Sequence, residues 1–272
     1  MVNARSAWIG SDGGHRLAIL NAHRFGDGRR EGHYPIALFE RALRHLHCRG
    51  VVMANPCDSP GTSPGTARTG RRFALTFDDG DESVYTHAWP LLQRFGYTAT
   101  LFVLGGAGRV APHTRLGAVG PVRTLQWSQL RELVEAGFGV GSHGVTHRDL
   151  TRLDDASVVA ELRDSRARLE DALGIEIDAF AYPFGRYDAR IEAHARARYA
   201  FTFSDRLALA DTRRPAARAR IDLAYFDRAA LLPLLAPPLL GTGLGAYLAV
   251  RRALAASRAR TLPARRPSRP RR

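Results

Sequence analysis

At 272 residues and 45% hydrophobic content, the chain suits one large α/β domain or two small ones, and it matches neither a disordered polypeptide nor a multi-span membrane protein. The formal charge of +14 suggests a polyanionic partner, yet nine arginines and no acid fall in 251–272, leaving only +5 on residues 1–250. All 40 basic residues are arginine, a bias that base composition can impose without any phosphate binding. Cys48 and Cys57 form neither a Cys-x-x-Cys pair nor a disulfide framework. Met1–Arg16 is polar and glycine-rich with no apolar signal core, so residues 1–16 read as a flexible N-terminus and the chain as cytoplasmic.

Leu17–Leu20 is a short apolar strand that runs into Asn-Ala-His-Arg-Phe-Gly, a glycine loop. Pro35–Cys48 places Leu38, Ala42 and Leu46 on one stripe and Phe39 and Leu43 beside it, which predicts a helix. Val51–Ala54 is the next strand. Asn55–Arg72, rich in Pro, Gly, Ser and Thr, reads as an exposed linker. Phe73–Phe77 is a buried strand that ends at Asp78-Asp79-Gly80. Val84–Phe95 is a helix interrupted or restarted near Pro90, and the β-branched and aromatic Thr98–Leu104 is a strand. Gly105–Arg123 is a glycine-rich loop. Trp127–Ala136 is a helix stopped at Gly137, Phe138–Gly141 a strand, and Ser142–His147 the loop beyond it. Asp154 or Asp155 caps a helix that runs to Leu173 and is closed by Gly174. Ala179–Tyr182 is a strand, Pro183–Tyr187 a loop, Asp188 the cap of the next helix, and Ala200–Phe203 another strand. This alternation implies a parallel sheet, open or closed as a barrel, without an internal repeat of fixed period.

In such a sheet the loops after the strands gather at the carboxyl edge, where sites form. Three of them carry chemistry: Asp78-Asp79, His143-Gly-Val-Thr-His147 and Pro183-Phe184-Gly185. Neighbouring strand residues point to opposite faces, so Asp78 and Asp79 are expected to serve different tasks. Both stay ionised only beside a cation. Taken alone, Asp-Asp-Gly reads as a solvated turn, and the rest of the chain is what changes that reading. Two imidazoles four residues apart can face one ion, and one carboxylate completes a His-His-Asp set with positions left for water and substrate. Gly139-Val-Gly141-Ser-His-Gly144 also fits the dinucleotide pattern Gly-x-Gly-x-x-Gly. The histidine stands where pyrophosphate needs bare backbone, and a helix precedes the strand, so the metal reading prevails.

Thr76-Phe-Asp-Asp-Gly80, Ser142-His-Gly-Val-Thr-His147 and Phe180-Ala-Tyr-Pro-Phe-Gly185 resemble the first three motifs of the polysaccharide deacetylase family, the NodB-homology or carbohydrate esterase 4 group. Leu91-Leu92 with Phe95–Phe102, and Trp127-Ser-Gln-Leu-Arg-Glu-Leu, look familial too. Asn21–Gly26 resembles the opening strand, where a His often lies near the site; here it is His23. The likeness covers roughly Ala18–Asp222. It implies an α/β fold, a distorted, incomplete (β/α) barrel of mostly parallel strands, over a domain spanning 17–228. It also implies a metal-dependent hydrolase that removes N-acetyl groups from sugar polymers or other glycans and releases acetate.

In that scheme Asp79, His143 and His147 bind a divalent metal, Zn²⁺ by default, with Co²⁺, Ni²⁺ or Mn²⁺ also suited to the donors. Asp78 is the general base. The N–H near Phe184 stabilises the oxyanion, and Tyr182, Pro183 and His23 lie beside the substrate. Two departures follow from the same comparison. The third motif often carries an Arg where this chain has Ala181, which leaves Asp78 without the residue that would steady it. The last motif supplies a late His as general acid, whereas no His follows His194 and Leu231-Leu232-Pro233 occupies that stretch. The expected mechanism therefore uses Asp78 as base and acid, with His23 in reserve. A deacylase of a lipid-linked amino sugar or small amide is one alternative, and a catalytically silent carbohydrate-binding member is another.

Ala229–Val250 holds no charged residue and reaches the length of a bilayer span, but its three prolines and three glycines oppose a simple helix. A last amphipathic helix packed on the barrel, then a hydrophobic hairpin, is expected there. Residues 251–272 read as an Arg-rich disordered tail that favours an anionic membrane surface at the cytoplasmic face. No aromatic residue follows Tyr247 to interleave with the arginines, so nucleic acid is not expected as a partner.

Overall fold

The computed structural model describes residues 15–27, 33–59, 72–106, 123–235, 243, 245–247 and 249–250. Residues 1–14 of the expected flexible N-terminus, the Arg-rich tail, and most of the linker and of the glycine-rich loop lie outside the described residues; Arg16, expected in that terminus, begins a strand. In chain order the strands are β1 (Arg16–Ala22), β2 (Phe25–Gly26), β3 (Tyr34–Pro35), β4 (Val52–Met53), β5 (Arg72–Asp78), β6 (Thr100–Val103), β7 (Gly139–Ser142), β8 (Ala179–Ala181), β9 (Phe201–Phe203), β10 (Ala210–Asp211) and β11 (Ile221–Asp222). The α-helices are α1 (Ile36–Cys48), α2 (Trp89–Phe95), α3 (Trp127–Glu135), α4 (Asp155–Leu173) and α5 (Ala189–Arg196).

The main sheet runs β10-β1-β5-β6-β7-β8-β9, with β11 also paired to β1 and β4 to β5. Its pairs are parallel except β1 with β10. Residues 217–222 form a seam between the two ends of the curl. On one side Arg218 N–H donates to Thr202 O at 2.8 Å, and Ser204 N–H donates to Arg218 O at 2.9 Å; on the other, β11 pairs with β1. The architecture is the incomplete, mostly parallel barrel expected from the alternation of elements.

Period-2 alternation sorts each strand between two apolar bodies. Leu17, Ile19, Ala74, Phe102, Ala179, Ala181, Phe203 and Ala210 pack together inside the curl. Their strand neighbours Ala18, Leu20, Phe73, Leu75, Phe77, Leu101 and Val103 join the larger core beneath the helices. Helix α1 contributes Leu38, Phe39, Ala42, Leu43 and Leu46 to that larger core, the stripes read from the sequence. The Asp154 side chain accepts the Ser157 N–H at 2.8 Å to start α4, and Gly174 ends it at φ 68°. Asp188 caps α5 in the same way, from Ile191 N–H at 2.8 Å.

Three local expectations need correction. The helix over Val84–Phe95 opens as a π-helical turn, Val84–Ala88, before α2. Pro90 has no N–H to continue the preceding ladder, which favours the wider turn. The two-residue strands β10 and β11 follow no periodicity and were not anticipated. At the C-terminal end, Ala229–Leu235 is a 3₁₀ helix that lies against α1 and buries Leu232 and Leu235, and α-helical backbone is found only later, at residues 243, 245–247 and 249–250 among those described. There the Tyr247 hydroxyl donates to Tyr225 O, and its ring lies 5.5 Å from that of Phe226. Among the described residues no helix is long and apolar enough to cross a membrane.

Candidate active site

The carboxyl edge of the parallel sheet collects His23 after β1, Asp78 and Asp79 at the end of β5, His143 and His147 after β7, and Phe184 after β8. Asp79, His143 and His147 are all buried, and each offers one ligand atom within 4.8 Å of the others. Asp79 Oδ1 stands 3.5 Å from His143 Nε2 and 3.3 Å from His147 Nε2, and is a buried acceptor without a hydrogen-bond donor. The Nδ1–H of His143 donates to Ala181 O at 2.8 Å, which fixes the ring and turns Nε2 inward. Two imidazole nitrogens and an orphaned carboxylate oxygen converging on one point fit a divalent cation, with room for further ligands.

Holding these groups there requires unusual backbone. Asp79, His147 and Phe184 have φ of 69°, 55° and 60°, and only Ala217 among the other described non-glycine residues is also positive. Each such residue costs on the order of 1–3 kcal/mol and persists only where its surroundings over-determine it. The left-handed turn at Asp79 also revises the strand argument. Asp79 has left the pleat, so its direction relative to Asp78 is set by the turn and not by strand alternation. The histidine loop is braced from below by Glu161 of α4. Its carboxylate accepts Val145 N–H at 2.7 Å, Thr146 N–H at 3.0 Å and the Thr146 hydroxyl.

Asp78 is not left without a steadying residue. Arg220, in the seam, donates from Nη1 to Asp78 Oδ1 and from Nη2 to Oδ2, both at 2.7 Å. Both side chains are almost fully buried, and Asn21 Nδ2 adds a bond to Oδ2 at 3.2 Å. The guanidinium also lies 5.3 Å from the Phe102 ring, over the inner core that Ala181 shares. Burial alone would raise the Asp78 carboxyl; the Arg220 charge and hydrogen bonds, with His143 and His23, outweigh it and hold Asp78 well below the usual carboxylate range. The arginine that the third motif lacks is thus replaced from the seam, by the residue just before β11.

His23 Nε2 lies 3.9 Å from Asp78 Oδ2, with its side chain 29% exposed. Burial lowers its pKa, but Asp79, Asp78, Asp222 and Asp205 together raise it above the ordinary value. Asp222 is itself raised, chiefly by burial, with His23 pulling the other way. Asp205, after β9, reaches Arg220 Nη2 at 3.3 Å and packs under Gly185. A Cβ on Gly185 would meet Asp205 Cβ at 2.5 Å, and its φ is 61°, so only glycine fits this turn.

The third motif divides. The Phe184 ring meets His147 edge-on at 4.6 Å, and the Arg186 guanidinium, bonded to Asp149 at 2.6 Å, lies 5.9 Å from the centre of the same Phe184 ring. Pro183 is buried and opens the single 3₁₀ turn Pro183–Gly185, whose Gly185 N–H donates to Tyr182 O at 2.8 Å. Tyr182 does not stand beside a substrate: its ring is fully buried against Tyr187 and Phe180, and its N–H is bonded to Phe203 O. Sequence reasoning missed Arg220, Asn21, Asp205, Asp222 and Glu161. For Arg220 a signal existed, since Ala217-Arg-Ala-Arg-Ile-Asp222 alternates small and charged residues just before a buried isoleucine.

A curled parallel sheet with a His-His-Asp cluster and an arginine-held carboxylate at its carboxyl edge defines the NodB-type α/β half barrel. The model of the polysaccharide deacetylase family matches residues 66–201, half of the chain, and the chain belongs to that family. The Bacillus subtilis protein YxkH is 27% identical over 184 residues, which cover 67% of this chain and 62% of YxkH. The peptidoglycan-N-acetylglucosamine deacetylase PgdA of Listeria monocytogenes is 32% identical over 46% of this chain but only 24% of its own length. Among solved structures, the Streptococcus pyogenes deacetylase PplD in complex with acetate superposes with a TM-score of 0.65 at 23% identity, over 76% of this chain and 92% of that one. The chain therefore spans less than two thirds of these two curated relatives, and the structural likeness concerns the fold.

Proposed function

We propose that this protein is a divalent-metal-dependent N-deacetylase of N-acetylated glycans, with Zn²⁺ the default metal. The observation that carries the reading is the meeting of the Asp79, His143 and His147 ligand atoms beside a carboxylate that Arg220 keeps ionised. A divalent ion held by those three residues supplies Lewis acidity, acidifying water and polarising the acetamide carbonyl. Asp78 takes the proton of the attacking water, with Arg220 and Asn21 fixing the carboxylate. The Phe184 N–H serves the oxyanion, and its left-handed backbone sets the direction in which that peptide points.

We assign the acid's role to His23 in place of Asp78. Both Asp78 oxygens already accept hydrogen bonds from Arg220, and Oδ2 accepts another from Asn21. His23 Nε2, 3.9 Å from Asp78 Oδ2 and surrounded by acids that favour its protonated form, delivers the proton to the departing amine nitrogen. The substrate in PgdA's name, peptidoglycan N-acetylglucosamine, supports acetamido sugars as the substrate class.

The test is acetate release from N-acetylglucosamine oligomers by the full chain, with and without added Zn²⁺ or Co²⁺. Metal-dependent acetate is expected. Release from lipid-linked amino sugars only would move the substrate, and silence on every substrate would make the chain a binding protein. His23→Gln is expected to lose about 10²–10⁴ in kcat with metal content intact. The parent's activity is expected to decline on the alkaline side as His23 loses its proton; a loss below tenfold in the variant would return the acid's role to Asp78.

A further inference from the structure

His23 is the first residue beyond the hydrogen-bonded ladder of β1, so its position depends on what anchors the chain just after it. Arg24 Nε lies 2.9 Å from Asp81 Oδ2, and both side chains are only 10% exposed. The other oxygen, Asp81 Oδ1, accepts the Ser83 N–H at 2.9 Å, and Ser83 Oγ in turn accepts the Phe25 N–H at 2.9 Å. Arg24, Asp81, Ser83 and Phe25 therefore close a ring between two chain segments. One is the segment that carries His23; the other begins two residues after Asp79. The Phe25 ring extends the link inward, 5.3 Å from Phe77, whose neighbour is Asp78.

We infer that Arg24 and Asp81 are positioning residues for proton transfer, their ion pair fixing His23 against Asp78. The inference rests on the reading of His23 as the acid. A buried ion pair seldom stabilises a fold more than an apolar pair of the same volume, so stability alone gives it little to do. Arg24 Nη2 is moreover buried without a hydrogen-bond partner, which is a poor arrangement for stability. What the pair does supply is directional geometry. It joins the ends of β1 and β5, the two strands that deliver the acid and the base. Proton transfer is steep in distance, and a displacement near 1 Å at a catalytic group can cost about a hundredfold.

The test uses the full chain loaded with Zn²⁺ and N-acetylglucosamine oligomers as substrate. Asp81→Asn is expected to lower kcat about ten- to a hundredfold, with KM and bound metal within about twofold of the parent. In a His23→Gln background the same change is expected to cost nothing further, because it acts through His23. An unchanged kcat in Asp81→Asn, or the same fractional loss in the His23→Gln background, would overturn the inference while leaving the deacetylase reading intact. Because Asp81→Asn leaves a buried guanidinium, the paired Arg24→Met/Asp81→Leu variant is the control for folding. It is expected to match the parent's thermal midpoint and still show the low kcat, and recovery of parental kcat in it would likewise overturn the proposal. Hydrogen exchange provides a readout independent of turnover. The peptide covering Asn21–Gly26 is expected to exchange faster in Asp81→Asn while that covering Thr100–Val103 does not change. If the parent releases no acetate, the functional reading fails, and unchanged exchange at Asn21–Gly26 would then reject the clamp as well.

Discussion

The loops after β5, β7 and β8 and the seam at 217–222 build one cleft by different means. The loops lie within residues 66–201, and each packs its functional groups into two to five consecutive positions beside a glycine: Asp79 with Gly80, His143 and His147 around Gly144, Phe184 with Gly185. Their side chains are aimed by local backbone, including three left-handed non-glycine residues. The seam has no such punctuation. It delivers Arg220 to Asp78 across 142 positions of sequence, through pairing of β11 with β1 and of Arg218 with β9. A group aimed by its own turn and one aimed by sheet closure should respond differently to mutation.

The largest effect is expected in the loops. Asp79→Ala, His143→Ala and His147→Ala should each remove stoichiometric metal and activity, with far-ultraviolet circular dichroism preserved, because such open sites are less structural than closed ones. Metal content equal to the parent's in all three would reject the ligand assignment. Asp78→Asn is expected to keep the metal and lose about 10²–10⁴ in kcat. Metal loss in that variant alone would mean that the two acids have exchanged roles.

The seam should reveal itself in the pH dependence of stability. In the parent the Asp78 carboxyl is depressed below its unfolded value of about 3.9, so its pair with Arg220 contributes stability that is fully present above that value and is lost as pH falls towards the folded one. Arg220→Gln leaves a buried carboxylate uncompensated, at a cost of about 3–5 kcal/mol near pH 7. Without the guanidinium, burial raises Asp78 above its unfolded value, so the variant should regain stability as pH falls through that raised value. Denaturant unfolding followed from pH 7 down to about pH 2 checks the opposite signs, the parent's loss falling below about pH 4. A parallel pH dependence in both proteins would show that Arg220 does not set the ionisation of Asp78.

A smaller effect should separate support from ligation within the loops. Glu161→Gln removes the carboxylate that holds Val145 and Thr146, and is expected to weaken metal binding by about 10–100-fold without abolishing it. Competition with a chelator measures the change, and wild-type affinity would show that the His143–His147 loop holds its shape without α4.

The metal candidates were legible because Asp79, His143 and His147 sit at fixed short spacings after apolar strands, a pattern that local chain direction converts into proximity. Helix α1 and the caps Asp154 and Asp188 were legible for the same reason: periodicity and capping operate within a few residues. Tyr182 misled because its neighbours Pro183 and Phe184 belong to the cleft, while its own ring turns into the core. Arg220 was missed despite the alternation of small and charged residues at 217–222, because the partner of a buried guanidinium is chosen by tertiary contact, and Ala181 in the expected place pointed to an absence.

By itself the sequence determined the parallel α/β alternation, the edge at which the site forms and the three residues that converge there, since these follow from periodicity, strand direction and short-range spacing. Tertiary structure alone decided which cation faces Asp78, which acids surround His23 and which helix braces the histidine loop. Those choices depend on strand order and register, which place residues far apart in the chain within hydrogen-bond distance, and no local propensity encodes that proximity.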